Sequence, residues 1–258
     1  MIPDAFFVAD GDNWQPTEHT RGPWSIEHQH GGPPSALVAR DIEKAVSDDG
    51  FRVSRLTCDI VRPVPIAPLR VVTVVGGGRN VRVVDAELYA GDRLLMRARA
   101  TAIRELEIPD VTPTTSEPAA FAPEDVEDFV FPFFVAEVGY QAAMNLKIAP
   151  EEFYAGPLQA WLRMRIPLVL GEEPAPLVRT VIAADSGNGV SPVLDWRKIS
   201  FINPDLTVHV HRPLIGEWIC LDARTDVNPN GIGLASAILR DRHGAFGRSA
   251  QSLLLRER

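Results

Sequence analysis

The stretch Thr57-Cys-Asp-Ile-Val-Arg-Pro63 is echoed 150 positions later by Thr207-Val-His-Val-His-Arg-Pro213. The same offset carries Ala86-Glu-Leu-Tyr89 onto Ser236-Ala-Ile-Leu239, and Arg99-Ala-Thr101 onto Ser249-Ala-Gln251. Identity between the copies is sparse, but the spacing holds throughout. In each copy a strand-like run ends at Arg-Pro and further strand-like runs follow. The chain therefore reads as one fold used twice. A unit of this size is a duplicated domain, since solenoid repeats run to only about 20–45 residues.

Working outward, Gly11-Asp-Asn-Trp14 and Arg21-Gly-Pro-Trp24 break up the first thirty residues, which otherwise carry strand-like pieces. His30-Gly-Gly-Pro-Pro34 then opens Ser35–Val46, where Leu37, Val38, Ile42 and Ala45 recur at helical spacing. Prolines suit the first turn of a helix, so the spacing predicts an amphipathic helix starting beside a glycine pair. Val-rich runs of alternating polarity near 54–61, 70–76, 81–90 and 94–104 predict strands, with Gly76-Gly-Gly78 and Ala90-Gly-Asp92 as turns.

From about 106 to 155 the character changes. Pro109, Pro113, Pro118, Pro123 and Pro132 punctuate an acidic stretch that ends in Phe129-Val-Phe-Pro-Phe-Phe134. So many prolines exclude a continuous helix or a central strand, and the phenylalanines imply a connector packed onto a domain. The second copy opens with the strand-like Gln159-Ala-Trp-Leu-Arg-Met-Arg165. Pro174-Ala-Pro176 leads into a helical pattern over Leu177–Asp185, read as ending at Ser186-Gly-Asn-Gly189. Strands follow at about 206–212, 217–227, 232–241 and 245–255. The expected organisation is α+β: residues 1–105 form one domain, 106–155 a connector and 156–258 a second domain. Each domain is a long helix wrapped by a curved antiparallel sheet, the hotdog arrangement, so the whole is a double hotdog. Pairing the two sheets edge to edge would protect their open edges.

The formal net charge of −8 argues against a nucleic-acid partner, which needs a basic surface. The N-terminal residues lack a basic region and a long apolar run, and no stretch reaches the roughly 20 apolar residues of a membrane span. A cytoplasmic protein is expected. Cys58 and Cys220 sit at unrelated places in the two copies, as buried free thiols would. Neither a Gly-x-Ser-x-Gly elbow, nor a phosphate loop, nor a Cys-x-x-Cys pair is present. His28 with His30, and His209 with His211, have spacing that can ligate metal, but no third ligand converges in sequence; neither metal nor cofactor is expected.

The second half resembles the C-terminal domain of the acyl-CoA thioesterase II family. Ile202-Asn-Pro-Asp205, Val208-His-Val-His-Arg-Pro213 and Glu217-Trp218 follow the order of its His-Arg-Pro strand and Glu-Trp pair. In the first half, His30-Gly-Gly-Pro-Pro-Ser-Ala-Leu-Val-Ala39 stands where the family has a Gly-Gly-Gln helix start, and Asp59-Ile-Val-Arg-Pro63 resembles its Phe-Leu-Arg-Pro strand. The resemblance covers nearly all of the chain outside the connector. It implies a site of Asp, Thr and Gln. The Asp falls on Asp185 and the Gln on Gln251, while the Thr is replaced by Asn203.

On local grounds alone these residues are unremarked: Asp185 would form a turn, Asn203-Pro204 would start one, and Gln251 would lie on a solvated strand face. Taken with the resemblance, they imply hydrolysis of acyl-CoA by a positioned water. Asp185 would act as base, or as a direct nucleophile giving an anhydride. Asn203 and Gln251 would fix the water, and backbone N–H groups of Gly31 and Gly32 would receive the oxyanion. Asp205 is expected to hold local structure, and Arg62 and Arg212 to anchor the domain pair. Trp161, Trp196 and Trp218 are expected in the core or along an acyl tunnel. Homo-oligomers, dimers or larger, are expected from hotdog sheets.

Two competitors remain. A hotdog enoyl-CoA hydratase needs an Asp–His pair, and no His lies between Asp185 and His209. A non-catalytic protein binding acyl-CoA or a lipid is kept open by the Asn at 203.

Overall fold

A computed structural model describes residues 3–47, 50–114, 116–134, 136–149, 153 and 156–258. A short hairpin, β1 (Phe7–Asp10) with β2 (Asn13–Pro16), precedes helix α1 (Gly32–Ser47). Four strands follow: β3 (Phe51–Ile60), β4 (Arg70–Gly77), β5 (Val81–Ala90) and β6 (Arg93–Arg104). The connector contributes β7 (Met144–Lys147). The second half supplies β8 (Leu158–Met164), helices α2 (Pro176–Ala184) and α3 (Gly187–Val190), then β9 (Ile199–Ile202) and β10 (Asp205–Val210). It closes with β11 (Ile219–Asn228), β12 (Ile232–Asp241) and β13 (Gly244–Glu257). All but β1 and β2 join one antiparallel sheet, in the order β4-β5-β6-β3-β10-β13-β12-β11-β8-β7, with β9 attached to β13. The fold is a double hotdog.

The two halves meet where β3 pairs with β10. Thr57 lies directly opposite Thr207, and their hydroxyls are hydrogen-bonded at 3.1 Å. These are the equivalent residues of the two sequence copies. Antiparallel strands that place equivalent residues face to face have a local two-fold axis between them, so the repeat offset and the strand register describe one symmetry. Alternation along β3 and β10 buries Leu56, Cys58, Leu206 and Val208 against the helices and turns the threonines outward.

Helix α1 buries Ala36, Leu37, Val38, Ala39, Ile42 and Val46. Its start runs hard against α2: a Cβ on Gly32 would lie 2.7 Å from the carbonyl oxygen of Ile182. Only glycine permits that approach. The glycines after Asp185 act in a way the sequence reading missed. They do not end the helix by adopting positive φ; the chain breaks at Asp185-Ser186 and resumes for one turn as α3. Gly187 instead leaves room for Gln251, whose Oε1 would be 3.0 Å from a Cβ there, and Gly189 packs under Phe133.

Arg62 and Arg212 do not bridge the halves. Arg62 donates to the Leu94 carbonyl at 2.8 Å within the first half. Arg212 forms a fork with the buried carboxylate of Asp241, at 2.5 and 2.8 Å, and donates to the Gly244 carbonyl. Each guanidinium makes these hydrogen bonds within its own half. Trp161 is core and donates to the Phe121 carbonyl. Trp196 meets Phe133 edge-on, and Trp218 lies under the Arg163 guanidinium.

Burial alone would raise the Asp241 carboxyl pKa. Hydrogen bonds from Arg212 and from the Ile215 and His243 N–H groups outweigh that and hold it below the ordinary value of 3.8. A carboxyl depressed on folding stabilises fully above the unfolded pKa, and the benefit disappears as pH falls through the folded value. Asp241→Ala leaves four N–H donors without their acceptor and should lower the unfolding free energy by about 3 kcal/mol. Urea titrations at neutral pH measure this loss, and it should shrink when both proteins are compared in strong acid, below pH 3.8.

Candidate active site

Asp185 occupies the C-terminal cap of α2 and is only 2% exposed. A carboxylate so placed is costly unless donors surround it. Asn203 Nδ2 donates to Oδ1 at 2.8 Å. Gln251 Nε2 donates to the same oxygen at 3.3 Å and to the Asp185 backbone carbonyl at 3.1 Å. The three residues expected from the resemblance therefore converge, from the end of α2, the loop before β10 and the middle of β13. Asp205 lies beside them, its carboxylate accepting from the Ser252 N–H at 3.0 Å.

The two amides are not equivalent. Asp185 and Asn203 line an apolar cavity of about 440 Å³. Gln251 lies behind them, 1% exposed, and its buried Oε1 has no partner among the described residues. Its contacts hold Asp185 from the protein side, and it is not among the residues that line the cavity. The cavity is shared by all parts of the chain: Trp24, His30 and Gly31 from the first half, Phe131, Phe133 and Phe134 from the connector, and Phe201 from the second half. Trp24 stacks on Phe133 with ring centroids 6.5 Å apart and meets Phe201 edge-on. The aromatic wall thus comes from the connector and from Trp24; none of Trp161, Trp196 and Trp218 lines the cavity.

The other carboxylate oxygen faces a residue that sequence reasoning assigned no part in the site. His30 Nδ1 lies 3.1 Å from Asp185 Oδ2. The His30 ring stacks on buried Tyr140, centroids 3.9 Å apart and planes 1° apart. Tyr140 in turn reaches the Ile182 carbonyl and the Ser186 hydroxyl through its own hydroxyl. Burial pushes the Tyr140 phenol well above its usual range, so it stays neutral. Burial also lowers the His30 pKa below 6.5, although Asp185 pulls it upward. Position next to the helix-opening glycines and the His28–His30 spacing were the signals in the sequence for His30, and its partner lies in the other half.

The N-terminus of α1 offers fewer donors than expected. Gly32 N–H donates to His30 Nδ1 at 3.1 Å, Pro33 and Pro34 have no N–H, and Ser35 N–H is bonded to the Gly31 carbonyl. Gly31 lines the cavity, and among the described residues its N–H has no acceptor. Of the expected pair, Gly31 retains a free donor and Gly32 does not. Among the described residues no cluster of three or more His, Cys, Asp or Glu side chains suits a metal ion, and no helix is long and apolar enough to cross a membrane.

Fold and site together define a tandem hotdog protein with a buried carboxylate at the seam of its halves. Residues 20–104 match the acyl-CoA thioesterase N-terminal domain family and residues 113–255 the acyl-CoA thioesterase C-terminal domain family. The chain belongs to this acyl-CoA thioesterase family, whose chemistry supports thioester hydrolysis in general. No curated protein matches the chain.

Solved structures share the fold at low identity. A candidate thioesterase from Novosphingobium aromaticivorans is 18% identical, with 97% of this chain and 98% of that chain covered and a TM-score of 0.76. A hot dog protein of unknown function from Alicyclobacillus acidocaldarius is 16% identical, with 98% and 97% covered and a TM-score of 0.74. The acyl-CoA thioesterase II TesB2 from Mycobacterium marinum is 14% identical, with 97% and 94% covered and a TM-score of 0.68.

A Cβ on Gly31 would sit 2.8 Å from Asp185 Oδ2 and 3.0 Å from Oδ1. Gly31 φ is not positive, so alanine is tolerated by the backbone and clashes only with the carboxylate. In a crystal structure of Gly31→Ala the carboxylate should swing away and lose its contact with His30; finding it unmoved would show that Gly31 has no part in seating it.

Proposed function

We propose that the protein hydrolyses acyl-CoA thioesters to a free carboxylic acid and CoA, with Asp185 activating a water at the cavity wall. The observation that carries this reading is a buried carboxylate held by two amides and open to an apolar cavity of about 440 Å³. A thioester carbonyl is electrophilic enough for a positioned water to attack without a covalent serine intermediate. Asn203 fixes Asp185 Oδ1 and, facing the cavity, can also orient the water on its line of attack. Asp185 removes the proton as the oxygen attacks. Gln251 keeps the carboxylate in one rotamer. Gly31 N–H is a preorganised donor for the developing oxyanion. The acyl group packs among Trp24, Phe131, Phe133 and Phe134, which suit an apolar chain or ring.

The missing histidine is supplied across the seam by His30, so an Asp–His pair does exist. Membership of the thioesterase family, and the two amides spent on the carboxylate, favour hydrolysis.

Purified protein incubated with saturated, aromatic and enoyl acyl-CoAs, with free thiol and enoyl absorbance followed together, tests both readings. Thiol release is expected without loss of the enoyl double bond. Asp185→Asn, which retains shape, should lower kcat by about 10²–10⁴-fold, the usual contribution of a general base. Double-bond loss without thiol would favour hydration, and tight binding with neither would favour a carrier.

A further inference from the structure

We infer that His30 is a second catalytic residue, a neutral imidazole whose Nε2–H points into the cavity and polarises the thioester carbonyl. The inference rests on the hydrolytic reading of the same site. Its first support is the tautomer. Gly32 N–H donates to Nδ1 at 3.1 Å, which requires a lone pair there and so leaves the ring proton on Nε2. The second is access. His30 lines the cavity with 14% of its side chain exposed, Nε2 has no partner among the described residues, and it is not among the buried orphan atoms. A donor is therefore presented to whatever enters.

The third support is rigidity. The His30 N–H is tied to the Thr20 carbonyl at 2.7 Å, the ring lies flat on Tyr140, and Tyr140 is pinned to α2. A donor that does not reorganise stabilises developing charge far better than one that must be oriented during reaction. His30 also takes up the Gly32 N–H, so the α1 N-terminus acts on the substrate through the ring. Burial in this wall keeps the imidazole uncharged at neutral pH, which suits an electrophile that must not ion-pair with Asp185.

No proton leaves His30 in this step. Water oxygen bonds to the carbonyl carbon, its proton passes to Asp185, and the carbonyl π pair moves onto oxygen, where His30 Nε2–H and Gly31 N–H hold it. When the C–S bond breaks, the pair returns to carbon and the thiolate departs with the C–S electrons, taking the proton held by Asp185 and so regenerating the carboxylate. With Asp185 protonated, bare Nδ1 offers that carboxyl an acceptor 3.1 Å away.

The test uses His30→Phe, which keeps the stack on Tyr140 and loses the donor, and His30→Gln, whose amide can place an N–H near the position of Nε2. Folding is checked by thermal melts. His30→Phe should lower kcat about 10²–10³-fold with KM little changed, as removal of one oxyanion donor does, and His30→Gln should recover part of the loss.

The second measurement does not depend on turnover. Infrared spectra of a ¹³C-carbonyl acyl-CoA bound to Asp185→Asn should show the thioester stretch shifted to lower frequency, and adding His30→Phe should remove most of that shift. An unshifted carbonyl, or one equally shifted without the imidazole, overturns the role of His30, as does full activity in His30→Phe. If the wild type releases no thiol while the His30-dependent shift persists, the hydrolytic reading fails and the contact to the carbonyl stands.

Discussion

The antiparallel pairing of β3 with β10 determines where everything else can lie. A hotdog sheet alone has an open edge of unpaired N–H and C=O groups, and joining the two copies removes one edge from each. Because Thr57 faces Thr207, the local two-fold runs through the centre of the joint sheet. The helices on its concave side are thereby placed next to each other, with the first turn of α1 against the last turn of α2. Neither half holds the site alone: Asp185, Asn203 and Gln251 come from one copy, and His30 and Gly31 from the other.

That arrangement places a carboxylate in an apolar seam, and the surrounding sequence reads as the means of tolerating it. Asn203 and Gln251 donate to one oxygen, and the other lies 3.1 Å from His30 Nδ1, which can accept from the carboxyl once it is protonated. Two glycines then serve proximity: Gly31 lets the carboxylate sit against the backbone, and Gly187 admits the amide of Gln251. The symmetry of the scaffold is broken at the cavity, since the carboxylate-bearing helix end occurs in one copy and the histidine-bearing helix start in the other. The connector supplies the third component. Its phenylalanines, too proline-broken for regular structure, form much of the aromatic wall.

How much of this could be read in advance follows from the range of each interaction. The strands from β3 to β6 and from β10 to β13 were legible because alternation and turn residues are local, and the repeat fixed their grouping. Helix α1 was legible from Pro33, Pro34 and the spacing of its apolar positions. Asp185, Asn203 and Gln251 carry no local signal, and only the order of motifs around them identified them. His30 was visible as a residue but not as a partner, since 155 positions and a domain boundary separate it from Asp185. The glycines after Asp185 have the composition of a helix stop, yet their cause is tertiary. Arg62 and Arg212 were misjudged for the opposite reason: their acceptors, Leu94 and Asp241, lie within their own halves.

The central claim is that a thioester carbonyl docks between the Asp185 carboxylate and the first turn of α1. A crystal structure with a non-hydrolysable acyl-CoA analogue tests it most directly. The account predicts the carbonyl carbon facing a water hydrogen-bonded to Asp185, within about 3.5 Å, with the acyl group among Trp24, Phe133 and Phe134. An analogue bound with its carbonyl away from this seam, Asp185 remaining sealed behind the aromatic wall, would contradict it.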